Sequence, residues 1–184
     1  MATTFSGFKE PQKKTLQSDL AEAKRLCMVA SNALIVNQDL DINPRPKELL
    51  RKAFQLAGTG DEYLDKINPI KDTFLGFQSR AERTSMNHDA SRPTGDSNSV
   101  EFLAFTKTSD ENSIFVRDLY FKKDQRYRAV TLIHEYVHLR YPASSGDGHP
   151  GGVAIVFEEG DVGIGYNDAI KNPYCYQYFV DWLV

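Results

Sequence analysis

An α+β fold is predicted by three observations. Apolar residues recur at three- and four-residue steps through most of the first 77 positions, two short runs between 100 and 121 alternate instead, and helical spacing then returns. Helices, then a small antiparallel sheet, then a further helix and a closing one make up that order. At 184 residues, 41% of them hydrophobic, the chain suits a single domain, 1–184, with a real core.

The elements follow in order. From Pro11 to about Asn37, Leu16, Leu20, Ala23, Cys27, Ala30 and Leu34 form one apolar stripe, the core-facing side of a long helix. Asp39 to Asn43 is a turn, and Pro46 suits the first position of a helix running through Leu49, Leu50, Ala53, Phe54 and Ala57 until Gly58. A third helix starts near Asp61, with Pro69 expected to kink or restart it before Phe74 and Phe77. Gln78 to Ser99 is polar apart from Met86 and reads as a long surface loop. His88 and Asp89 inside it read as a turn rather than a metal pair. Val100–Thr106 and Ile114–Phe121 read as a hairpin around Ser109–Asn112. Asp124 then caps a helix that Pro142 ends. A polar, glycine-rich loop follows, then a short hairpin, Val153–Phe157 with Val162–Tyr166, and a last helix from Asp168 to Leu183.

Net charge is −3 with no block of like charge, which excludes an electrostatic interface for nucleic acid or anionic lipid. No apolar run reaches the roughly 20 residues of a membrane helix. The N-terminus turns charged by Lys9 and Glu10 and lacks the apolar stretch of a signal peptide. The expectation is a monomer that is cytoplasmic, is exported by a route needing no cleaved signal, or has been trimmed of its leader. Two cysteines, Cys27 and Cys175, rule out a disulfide scaffold; each reads as a small buried side chain, with one bridge between them left open.

The helix after Asp124 carries His134-Glu135-Tyr136-Val137-His138, an H-E-x-x-H pattern. Residues four apart stand on one helix face, so both imidazoles can ligate one Zn²⁺, with Glu135 beside the metal's open position. Only four histidines occur in the chain, and two fall inside these five residues. Val130, Leu132, Ile133, Val137 and Leu139 would bury the rest of the helix. The chemistry implied is a zinc-dependent hydrolase in which Glu135 takes a proton from zinc-bound water. A catalytic zinc needs a third protein ligand. The third-histidine continuation fails, because the position six after His138 is Ser144. Asp147, His149, Asp161 and Asp168 remain as candidates.

On these residues the chain resembles the aspzincins, the deuterolysin-like and lysine-specific metalloendopeptidases. Thr131-Leu132-Ile133-His134-Glu135 looks like the start of their motif, and Ala169–Val180, with Asn172-Pro173-Tyr174-Cys175-Tyr176-Gln177-Tyr178-Phe179, is similar to their closing helix. The resemblance covers roughly 113–184 and implies a zincin-like domain that hydrolyses peptide bonds. By that resemblance Asp147, nine after His138 in a Ser-Gly-Asp context, matches the family's aspartate ligand. The family's oxyanion-stabilising tyrosine falls on Pro150 here, leaving Tyr166 or a tyrosine of the last helix for that role. The two acidic positions linked to lysine preference are Tyr174 and Gln177, so a cationic side chain would lack a counter-charge.

The expected activity is thus a zinc metalloendopeptidase with a protein or peptide substrate, and a secreted effector or toxin is one role compatible with it. Residues Ile114–Tyr120 offer a strand on which an extended peptide could be added. The competing reading is a non-catalytic interaction domain whose zinc is structural or vestigial; four protein ligands would close such a site.

Overall fold

A computed structural model of the chain describes residues 3–36, 41–90, 103–107, 110–142 and 164–184. Among them are six α-helices and a four-stranded sheet, which is the α+β class the periodicities predict. Helix α1 (Glu10–Ala33) buries the whole stripe read from the sequence: Leu16, Leu20, Ala23, Cys27, Ala30 and, just past its end, Leu34. That stripe packs on α3 and α4.

Helix α2 (Pro44–Phe54) begins two residues before Pro46, with Pro44 in its first turn. It stops at Phe54 rather than Gly58, because Gln55 turns left-handed at φ 52° and the following Leu56 N–H folds back to donate to the Leu50 carbonyl at 3.2 Å. Helix α3 (Asp61–Ala81) runs through Pro69 without the break expected there. The proline ring costs one backbone hydrogen bond, and burial of Ile67, Ile70, Phe74 and Phe77 on one side outweighs it.

The sheet is mixed, with strand order β1-β2-β4-β3. Strand β1 (Thr4–Ser6) pairs in parallel with β2 (Ser85–His88), and β2 in parallel with β4 (Asp110–Val116). Only β3 (Ala104–Lys107) and β4 are antiparallel, as the predicted hairpin requires, but β4 takes in Asp110–Asn112, which the sequence reads as the turn. Parallel neighbours need a long crossover, which α1 to α3 supply between β1 and β2. Two expectations are corrected here. The polar segment after Gln78 is not all loop, since Gln78–Ala81 extend α3 and Ser85–His88 form an interior strand. Strand β4 is interior too and ends at Val116, with a 3-10 turn at Asp118–Lys122 taking up Tyr120 and Phe121. It has no free edge on which to add a peptide. His88 and Asp89 hold the sheet's end, with His88 Nε2 2.9 Å from Asp118 Oδ1 and Arg117 Nε donating to Asp89 Oδ2 at 3.1 Å.

Helix α4 (Gln125–Arg140) is the central element, packed by α1, α6 and the β3–β4 pair. The last segment is not one helix. A turn, α5 (Tyr166–Ala169), precedes α6 (Pro173–Leu183). Asn172 rather than Asp168 caps α6, accepting from the Tyr174 N–H at 3.0 Å, and Pro173 restarts the helix at its first position. Cys27 and Cys175 are both buried and both free thiols. Among the described residues no helix is long and apolar enough to cross a membrane.

Candidate metal centre

Helix α4 starts where the sequence places it. The Asp124 side chain accepts from the Tyr127 N–H at 2.9 Å, capping the first turn. Val130, Leu132, Ile133, Val137 and Leu139 are all buried, as predicted from the flanks of the motif. Its placement against α1 comes from a buried ion pair. Asp19 is wholly buried, and Arg128 grips it with Nε to Oδ2 at 2.8 Å and Nη2 to Oδ1 at 3.0 Å. The Tyr120 hydroxyl donates to the same Oδ2 at 3.0 Å. Such a fork is directional as well as strong, so it sets the rotation of α4 about its axis.

That rotation aims His134 and His138 to one side, their ring centroids 5.0 Å apart and their planes tilted by 68°. His134 is buried and His138 half-buried. The ring of Tyr174, from α6, stands edge-on to His134 at 4.6 Å. Gln177, one turn further along α6, brings Oε1 to 3.1 Å from His134 Nδ1. The closing helix therefore meets the first imidazole with two side chains, and both are positions the family resemblance had tied to substrate charge.

Glu135 is 5% exposed. Burial pushes its carboxyl up to about 8, opposed by a hydrogen bond from the Thr106 backbone N–H on β3. Its Oε2 is buried with no hydrogen-bond partner among the described residues. A carboxylate so placed is held at one oxygen and unsatisfied at the other. The donor set fits a zinc ion: two imidazoles four apart on one face, and beside them a carboxylate with an orphaned oxygen. Among the described residues no group of three or more His, Cys, Asp or Glu stands together as a metal site.

The remaining candidates divide. Asp147, His149 and Asp161 lie outside the described residues, as does nearly all of the expected hairpin around 153–163. Asp168 is exposed within α5. Tyr166 is half-buried, and its hydroxyl donates to the Lys66 carbonyl of α3 at 2.7 Å. The tyrosine that packs on His134 is Tyr174 instead. Sequence reasoning missed the contacts of Gln177 and Thr106, because neither type in its local context signals a partner on α4. The only cue was that Tyr174 and Gln177, three apart on a helix, share a face.

A pH dependence follows from the buried acid. Its folded-state value lies above the 4.5 of an ordinary glutamate. The folded, zinc-free chain therefore holds a proton that the unfolded chain releases above that value. Stability should fall as pH rises from about 5 to 8, the window between those two values. Thermal melts of zinc-free protein across that window check the sign, and Glu135→Gln should flatten the profile.

Comparison with solved structures bears on the fold. A zinc peptidase from Grifola frondosa matches with a TM-score of 0.64, covering 95% of this chain and 96% of that one at 12% sequence identity. No family model and no curated protein matches the sequence. At such identity the likeness is one of architecture. Over nearly its whole length, the chain shares its fold with a zinc peptidase.

Proposed function

We propose that the chain is a zinc-dependent peptidase, with His134 and His138 as two metal ligands and Glu135 as the general base. The observation that carries this reading is the buried Glu135 carboxylate, fixed at one oxygen by Thr106 and unsatisfied at the other, beside a histidine pair on the same helix. The shared fold with a zinc peptidase supports it. The third ligand is proposed to be Asp147, on the family resemblance.

Zinc, when bound, supplies a water acidified towards neutrality and a positive charge that favours the carboxylate form of Glu135. Glu135 accepts the proton of the attacking water and returns it to the leaving amine nitrogen as the peptide bond breaks. The Thr106 N–H keeps the carboxylate from rotating away during both transfers. Tyr174, rather than Tyr166, is the hydroxyl proposed to stabilise the developing oxyanion, because its ring already packs on His134. The edge beside Glu135 belongs to β3, so an extended substrate is proposed to add there and not along β4. Tyr174 and Gln177 bring no charge, which favours neutral over cationic substrate side chains near the centre.

Metal content and proteolysis test the reading together. Purified protein should carry about one zinc per chain, cleave an unfolded generic protein, lose that activity to a chelator and regain it with added zinc. Cleavage that persists after complete metal removal overturns it.

A further inference from the structure

We propose that Gln177 is the positioning residue of this centre: its amide oxygen holds the His134 ring in the Nδ1–H tautomer and so keeps the Nε2 lone pair for the metal. The inference rests on the zinc-peptidase reading above. It adds a residue to that reading and a chemical reason for its type.

A neutral imidazole has one N–H and one lone pair, and whichever nitrogen is protonated cannot ligate. His134 Nδ1 stands 3.1 Å from Gln177 Oε1, a hydrogen-bond distance. With the ring proton on Nδ1, that contact is a donor meeting an acceptor, and Nε2 is left as the ligating atom. If the amide were turned to present its NH₂ group, the contact would require a lone pair on Nδ1. The proton would then sit on Nε2 and the ring could not bind metal. Amide orientation and tautomer are thus one coupled choice, and only one setting is competent. A glutamine offers both settings; a carboxylate would offer the acceptor alone.

The amide is well held. Helix α6 is tied to the start of α4 by Arg126, whose Nη2 donates to the Val180 carbonyl at 3.2 Å and whose Nε lies 3.5 Å from Asp181 Oδ1. It is tied to α2 by Arg45, whose Nη2 donates to the Trp182 carbonyl at 2.7 Å. Cys175, Tyr176, Phe179 and Val180 are buried beneath it. Tyr174, three residues before Gln177, packs on the same imidazole and limits its rotation. Partners of this kind, which orient a ligand without touching the metal, are commonly worth about 10- to 100-fold in metal affinity.

The test uses the full chain with Gln177→Leu and Gln177→Glu beside the parent. Nitrogen-15 shifts of the His134 ring are recorded in zinc-free protein at a pH where the imidazole is neutral. Zinc affinity is measured by competition with a chromophoric chelator. The parent should show a protonated Nδ1 and an unprotonated Nε2. Gln177→Leu should show mixed tautomers and bind zinc about 10- to 100-fold more weakly, with an unchanged melting temperature in the zinc-free state. Gln177→Glu should restore the single tautomer and bind zinc at least as tightly as the parent. A parent ring protonated on Nε2, or a leucine variant with the parent's tautomer and affinity, overturns the proposal. A parent that binds no zinc sinks the peptidase reading instead, and the ring shifts still decide whether Gln177 sets the tautomer.

Discussion

Glu135→Gln should bind zinc as the parent does and hydrolyse protein about 10²- to 10⁴-fold more slowly, the usual contribution of a positioned acid–base group. The substitution is nearly isosteric, and the glutamine carbonyl oxygen can still accept the Thr106 N–H. What disappears is the capacity to carry a proton. The effect on stability runs the other way: a buried group that resists ionisation is replaced by one that cannot ionise. The zinc-free variant should therefore be at least as stable as the parent at pH 8, where the parent's carboxyl is half titrated. Loss of turnover with retained metal and retained stability separates a base from a structural carboxylate. A variant that cleaves at the parental rate removes Glu135 from the mechanism.

The second large effect lies away from the metal. Asp19→Ala should destabilise the fold by about 3 kcal/mol, the lower end of the cost of leaving one member of a buried ion pair without its partner. The lower end is appropriate because Arg128 retains its hydrogen bond to the Lys123 carbonyl and some access to water. For a chain of this length the melting temperature should drop by roughly 6–12 °C. The double change Asp19→Ala with Arg128→Met should recover part of the loss, because the stranded guanidinium is gone. If the single variant melts with the parent, Asp19 does not set the position of α4.

What was legible in the sequence was whatever repeats locally. The Leu16–Leu34 stripe is periodic over several turns and is buried as read. Asp124 is recognisable as a cap because a cap is a relation between residues three apart. The motif histidines needed only the pitch of a helix. Strands β1 and β2 were not legible: three and four residues long, each presents too few apolar positions for alternation to register. The strand predicted to run on to Phe121 ends early because its last residues turn to deliver Tyr120 to Asp19, 101 positions away. The pairing of Gln177 with His134 spans 43 positions and that of Arg128 with Asp19 spans 109. Such partners are chosen by the packing of whole helices, and no local pattern encodes them.

Cys175 sits on α6 two residues from Gln177, with no exposed surface, and burial pushes its thiol well above the ordinary range. A thiol in that state is inert to alkylating reagents for as long as α6 stays docked. Its labelling rate therefore measures how often that helix lifts away, and so how often the His134 ring loses its support. Cys27, buried on α1, reports opening where that helix packs on α4. The chain thus carries two native clocks. Comparing their rates with and without zinc would tell whether metal holds the closing helix down or leaves it free to breathe.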